Sequence, residues 1–497
     1  MTILIKNIEI LGGSRKFEAA SDVFVKDGKI SAIGHFPGKK ADKVIEGTGS
    51  YLAPGFIDVN VTSDHHLSIF TAPDQSDFLA QGVTTIIGGQ SGFSLAPFFK
   101  SLPMSLQYWT DTSQINFNWR TVAEFLKTLS TKKIGVNFLT LTGYENLLAS
   151  FGFETKNNIN KKDSAAMKEL LKKTLTEGSF GLSVEEGSPV IPVLSNILKE
   201  LTAETKKDNA LISFHLDECR ELKAKTKEIL GLIKNKSSKI IFSHFMPLIG
   251  NEIDYEEAIK LLEKGDRPNV YFDIFPLNEN LLPISHFLPN WVKKSQTIIP
   301  SKAISDPWFQ NQIAKEIINF DPNEIKVTQA FKFDFLVGKT ISELSEIFSL
   351  SATETLIKIM SLTKLKANLA VNNINLDLAL KYVNHPKALI ASHSASMNEK
   401  NGFKKISSLR SRETFSRFLK YATETKLLSL NDAVKKITLL PAKILGIQNR
   451  GLIEENYWAD LVIMKNQEVK TTIVNGQVAW EDGVVLGLPG KVLRHGF

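Results

Sequence analysis

Between residues 54 and 443 of this 497-residue chain, short apolar runs alternate with amphipathic stretches, and that alternation restricts the fold more than any other feature. Eight runs have strand character: Phe56 to Val61, Val83 to Gly88, Ile134 to Leu141, Phe180 to Val184, Leu211 to Leu216, Lys239 to Phe245, Val270 to Phe275 and Ala388 to Ser392. The stretches between them read as helices. Met167, Leu170, Leu171 and Leu175 share one face of Ser164 to Thr176, which stops at Gly178. Asp254 to Lys264 opens with Asp-x-x-Glu, and Ser351 with Glu354 forms a capping pair ahead of a helix reaching Met360. Repeated strand–helix alternation favours a closed (β/α)8 TIM barrel over an open sheet.

The chain ends have a different period. Residues 1–53 hold short alternating strands with a hairpin at Asp27-Gly28, and residues 444–497 hold Ala459 to Met464 and Thr471 to Val478, with a turn at Asn475-Gly476. Two half-sheets at the ends pack most economically on each other as a small β-sandwich, leaving 54–443 as the barrel. A Pro-punctuated loop from Leu282 to Trp308, with helices after it, predicts a lid or subdomain insertion at about 282–345. The polar run Lys156 to Asp163 reads as a surface loop.

Composition narrows the class. Apolar residues make up 43% and charged residues 23%, ordinary for a folded chain. No apolar run has the length of a membrane span and the N-terminus alternates rather than forming a secretory segment, so the expectation is a cytoplasmic protein without membrane contact. A lone cysteine, Cys219, excludes an internal disulfide and agrees with a reducing compartment. The net charge of +7 is spread over helix faces without an aromatic-interleaved basic run or a phosphate loop, so no nucleic-acid partner is expected. A homo-oligomer remains open, since barrel exteriors can carry dimer faces.

Chemistry concentrates after the first barrel strand. Pro54-Gly55-Phe56-Ile57-Asp58-Val59-Asn60-Val61-Thr62-Ser63-Asp64 delivers polar side chains at alternating positions to one pocket. Further motifs are Gln81-Gly82-Val83-Thr84-Thr85 running on to Ser91-Gly92-Phe93-Ser94 and Ala96-Pro97, Phe180-Gly181-Leu182-Ser183, Val337-Gly338-Lys339-Thr340, Leu439-Leu440-Pro441-Ala442, and Arg450-Gly451-Leu452-Ile453 with Tyr457-Trp458-Ala459-Asp460-Leu461-Val462. Together these resemble the N-acyl-D-amino-acid deacylase branch of the amidohydrolase superfamily over nearly the whole chain.

The resemblance implies a zinc site at the C-terminal ends of the barrel strands, fed by His-x-His, a Cys, two further His and an Asp, and hydrolysis of a non-peptide C–N bond in an N-acyl amino acid or related amide. This chain departs from that set. Asn60 and Thr62 stand for the His-x-His and Ser91 for the Cys, which replaces imidazole and thiolate by weak neutral oxygen donors. His215 and His244 match the two histidines, and His393 stands where the family has its metal-binding, proton-accepting Asp. Asp217, Met246 and Phe275-Pro276-Leu277 depart from the family's basic and aromatic substrate positions, so a carboxylate ligand loses an expected partner.

Three readings follow. His215, His244 and His393, with His65 or His66 as a further donor, converge into a site for one zinc ion at most. Alternatively the histidines are packed remnants and the chain is a pseudoenzyme whose folding signatures outlast its chemistry. The third is hydrolysis without metal, with Asp64 or Glu186 as base, and His393 and Asp64 are the candidate catalytic groups throughout. Asp58 reads as a backbone anchor and Glu185 as a rim carboxylate. His35, His286, His385 and His495 carry no spacing signal, and Phe70, Phe78, Phe93, Phe98 and Phe99 read as core.

Overall fold

The structure, a computed structural model of the chain, describes every residue except 14–19, 104–105, 111, 154–158, 186–194, 208, 217–220, 234–237, 265–266, 294–297, 318–319, 398–405 and 497. Asp217, Cys219 and Glu186 thus lie outside the described residues. Among the described residues no helix is long and apolar enough to cross a membrane.

Eight parallel strands close a barrel: β1 (Phe56–Asp58), β2 (Val83–Gly88), β3 (Asn137–Thr140, continued by Thr142–Gly143), β4 (Gly181–Glu185), β5 (Leu211–His215), β6 (Lys239–Ser243), β7 (Val270–Ile274) and β8 (Ala388–Ile390). Several are shorter than their apolar runs. Regular pairing of β1 stops at Asp58, and Ile134 to Val136 precede the ladder of β3. The seam between β8 and β1 closes beyond both strands, where His393 N donates to Asn60 O at 2.8 Å and Thr62 N donates to Ser394 O at 2.8 Å.

Both faces of these strands are buried, which is why they read as continuous apolar runs. Along β5, Ile212 and Phe214 face the helices, whereas Leu211 joins an interior cluster with Ile57, Leu139, Ile241 and Leu389. Ala442, Ile444 and Leu445, from the helix Leu439–Leu445, complete that interior cluster. The next inward residues along β5 are Ser213 and His215, so the inward row becomes polar toward the C-terminal end.

The terminal segments form one continuous nine-stranded sheet, joined where Tyr51–Pro54 pairs antiparallel with Leu461–Lys465. Its halves share one core containing Ile3, Ile5, Val23, Leu461 and Ile473, which is the physical content of the expected sandwich. Gly55 makes the passage into the barrel because a Cβ there would collide with Thr84.

The insertion is larger than 282–345. Glu279–Pro283, Ala367–Asn372 and Ile325–Ala330 form an antiparallel sheet with Ala367–Asn372 in the centre, so the unit extends over 279–372. It has its own core of Leu282, Val327, Leu344, Leu356 and Leu369. The expected loop from Leu282 to Trp308 contains a 3-10 turn, Ile284–Phe287, and short helices at Asn290–Lys293 and Pro300–Ala303. Its prolines start or precede these turns instead of marking irregular chain.

Helix signals placed the helices well and their first residues less well. Ser351 and Glu354 form a complete capping box ahead of Ala352–Thr363. The helix expected from Asp254 starts at Glu252, and the one expected from Ser164 starts at Lys161 behind Asn160, which accepts from Asp163 N. The presumed loop residues Lys161 to Asp163 are therefore a first helical turn.

Candidate functional site

Three imidazoles gather at the C-terminal mouth of the barrel. His215 is the last residue of β5, His244 directly follows β6, and His393 lies three residues past β8. Ring centroids are 5.4 Å apart for His215 and His244, 4.8 Å for His215 and His393, and 4.4 Å for His244 and His393. All three side chains are about 2% exposed. His244 and His393, together with Ser91, adopt left-handed backbone with φ of 55°, 45° and 48°. Such residues cost roughly 1–3 kcal/mol and persist where the surroundings over-determine them, often at functional sites.

Below the rings lies a hydrogen-bonded polar layer. Asn60 Nδ2 donates to Ser243 Oγ at 2.7 Å and to Asp273 Oδ2 at 3.1 Å. The other Asp273 oxygen accepts from His244 N at 2.8 Å, and His215 Nδ1 lies 3.5 Å from Ser243 Oγ. Asn60 Oδ1 and Ser91 Oγ find no hydrogen-bond partner among the described residues. Asp58 accepts from Ser392 N at 3.1 Å and from Asn60 N at 3.2 Å, which fastens β1 to the β8 loop. Burial raises the Asp58 carboxyl to about 7, with the charge of Asp273 adding to the rise, and burial pushes Asp273 upward as well against the pull of His244 and His215.

The remaining candidates sort clearly. Asp64 accepts from Gly89 N at 2.6 Å and from His65 N at 3.1 Å, with His65 Nε2 3.7 Å away. A side chain at Gly88 would press on Asp64 Oδ2 at 2.8 Å, so the Gly88-Gly89 pair is what admits this carboxylate. His65 stacks on Phe93 with centroids 3.8 Å apart and feels His215 electrostatically. Burial holds its imidazole below the ordinary range, against the pull of Asp64. His66 instead meets Trp109 edge-on at 5.3 Å. Thr62 is buried at the seam, with its backbone paired to Ser394 and His66. Glu185 ends β4 and is partly buried. His35, His385 and His495 lie elsewhere, beside Asp22, Glu263 and Phe180 respectively. Of the five phenylalanines read as core, Phe93 doubles as the shelf for His65, and Phe99 is 40% exposed.

The structure adds residues that the sequence did not single out. Asp273 is one carboxylate in an otherwise apolar strand, a signal that was present but sat outside every motif. Arg410 is fully buried on the helix Leu409–Glu424; its Nη2 donates to His393 O at 2.7 Å and its guanidinium lies 4.8 Å over the Phe275 ring. Nothing in local sequence marks it, because helix 409–424 reaches the mouth only through tertiary packing. Trp109 reaches both His65 and His66, and its carbonyl accepts from Asn368 of the insertion's central strand at 3.2 Å. The insertion thus touches the cover of the site.

Three imidazoles are a donor set that zinc accepts. Their arrangement does not fit it: among the described residues no group of three or more His, Cys, Asp or Glu side chains is disposed to hold a metal ion. The planes of His215 and His244 are stacked, 21° from parallel.

Residues 349–479 match the Amidohydrolase family. Over 99% of its length the chain is 24% identical to the N-acyl-D-aspartate deacylase and 22% identical to the D-aminoacylase of Alcaligenes xylosoxydans xylosoxydans, covering 95% and 97% of those proteins. The crystal structure of N-acyl-D-glutamate deacylase from Bordetella bronchiseptica, complexed with zinc and a phosphonate inhibitor, superimposes with a TM-score of 0.77 at 21% identity, covering 99% of both chains. The barrel and the terminal sheet are thus the fold of that solved deacylase, the family match lies in residues 349–479, and over nearly its whole length the chain is similar to the N-acyl-D-amino-acid deacylases.

Proposed function

We propose that this chain keeps the ligand pocket of an N-acyl-amino-acid deacylase and has lost, or strongly altered, its metal-dependent hydrolysis. One observation carries the reading: the Asn60 amide donates to both Ser243 and Asp273. Asn60 stands, by sequence resemblance, where a ligand imidazole is expected. Its N–H groups already satisfy the acceptors beneath the histidines, and a cation there would have to displace both hydrogen bonds from a fully buried layer.

The groups that remain suit binding. Arg410 directs one N–H to His393 O and leans on Phe275, which fixes a positive charge beside the imidazoles that would complement an acyl amino acid's carboxylate. His215, His244 and His393 contribute donors or acceptors according to tautomer. Asp64 is a positioning residue, which holds the loop bearing His65 by its bonds to backbone N–H groups.

The test is zinc content of the purified protein together with turnover of a panel of N-acetyl-D-amino acids, with and without added zinc. The expected result is less than stoichiometric zinc and no robust turnover, with binding of the panel detected by calorimetry. Robust hydrolysis overturns the proposal.

The spacing of the three rings favours a second reading, in which reorientation of His215, His244 and His393 creates a site for one zinc and an active hydrolase. It requires close to one bound zinc that is lost in His244→Ala.

A further inference from the structure

A cavity of about 710 Å³ opens on the insertion and is lined by none of the three imidazoles. Its floor is apolar: Leu282, Leu288 and Val371 are buried there, and Phe287, Phe320 and Trp291 supply half-buried aromatic walls. Ile249, from the loop after β6, contributes the barrel side and is 64% exposed. A concavity of this volume with an apolar lining and a few convergent polar groups is the usual form of a small-molecule site.

The polar groups at its edge have one dominant sign. Glu316, Asp321 and Glu324 line it, against Lys293, whose ammonium donates to the carbonyl of His286 at 2.9 Å. Glu316 accepts from the Trp291 indole N–H at 3.0 Å, which sets a carboxylate at the edge of an aromatic wall. Glu324 accepts from Asn372 at 2.7 Å, and Asp321 accepts from Asn323 N at 2.9 Å. Among the described residues the hydrogen-bond partners of these carboxylates are neutral. Aromatic faces beside carboxylates attract an organic cation twice over, through the ring quadrupole and through charge.

We infer that this cavity binds a small amphipathic cation, an aryl- or alkyl-ammonium compound whose apolar body lies against Phe287, Phe320 and Trp291 and whose ammonium group meets Glu316, Asp321 and Glu324. The site sits at a junction. Ile249 N donates to Asn373 O at 2.9 Å, and Leu248 bridges Ile374, so a bound molecule touches both the β6 loop, which starts at His244, and the strand that reaches Trp109 through Asn368.

Tryptamine is the probe, with tryptophol as its neutral and indole-3-acetate as its anionic counterpart, measured by calorimetry on the full chain. The expected order is tryptamine tighter than tryptophol tighter than indole-3-acetate, with about tenfold between the first and last, the sum of a screened attraction for the cation and a screened repulsion of the anion. In the triple variant Glu316→Gln, Asp321→Asn, Glu324→Gln, tryptamine falls to the affinity of tryptophol while tryptophol is unchanged. These residues are exposed and leave the core intact. Equal binding of all three probes, no tryptamine binding at millimolar concentration, or tryptamine binding undiminished in the variant each overturns the inference.

Discussion

The side-chain amide of Asn60 donates to Asp273 Oδ2 at 3.1 Å across the barrel mouth, from the first strand's end to the seventh strand. That bond links the position where the chain departs from its relatives to a carboxylate raised by burial, and it organises the layer on which the three imidazoles rest.

Removing the amide should cost stability. Asn60→Leu leaves Asp273 Oδ2 and Ser243 Oγ without this donor in a buried layer, and a buried unsatisfied acceptor costs about 1–3 kcal/mol. Urea unfolding should show a lower midpoint with unchanged m; an unaltered midpoint would mean that the network contributes nothing.

The pH dependence has a defined sign at Asp58. Its folded carboxyl is raised to about 7 by burial, so the folded chain holds a proton that the unfolded chain releases near the ordinary value of 3.8. Stability from this group is complete below the unfolded value and is lost as pH rises through the folded one, on the order of 4 kcal/mol in all. Asp58→Asn keeps an acceptor for Ser392 N and removes the titration, so its stability profile between pH 4 and 7 should be flatter than the parent's.

Lys436 gives the opposite slope. Burial lowers its ammonium to about 8 from 10.5, and its Nζ donates to His385 O at 2.7 Å. Between those values the unfolded chain binds a proton that the folded chain does not, so stability rises with pH across the window by about 3 kcal/mol. The stability difference between Lys436→Met and the parent should shift by that amount in favour of the parent from pH 8 to 10.5, measured at constant ionic strength.

Restoring the family's ligand types tests the pocket itself. The combined variant Asn60→His, Thr62→His, Ser91→Cys, His393→Asp replaces weak oxygen donors with imidazoles, a thiolate and a carboxylate at the mouth. It should purify with stoichiometric zinc and unfold at a higher temperature with zinc than after chelation, whereas the parent's unfolding temperature should not respond to chelation. Equal zinc content in parent and variant would contradict the proposed loss.

Much of the architecture was legible because it depends on local patterning. Apolar runs buried on both faces marked all eight barrel strands, Ser351 with Glu354 marked a helix start, and Asp-Gly and Asn-Gly marked the terminal hairpins. Histidines at or just past strand ends pointed to the mouth, since parallel barrel strands share one direction. The insertion's true extent was not legible, because Ala367–Asn372 becomes its central strand only by pairing with segments about 40 and 90 residues earlier.

What the sequence alone determined is therefore which runs become strands, and that Asn60, Thr62, Ser91 and His393 differ from the expected ligands. What only the tertiary structure decided is how those side chains meet: that Asn60 reaches Asp273, that Asp64 is held by Gly89, that His65 stacks on Phe93 within electrostatic range of His215, and that Arg410 arrives from a distant helix. The physical reason is that periodicity specifies the face a residue takes, while contacts across a barrel depend on how every strand is registered against its neighbours.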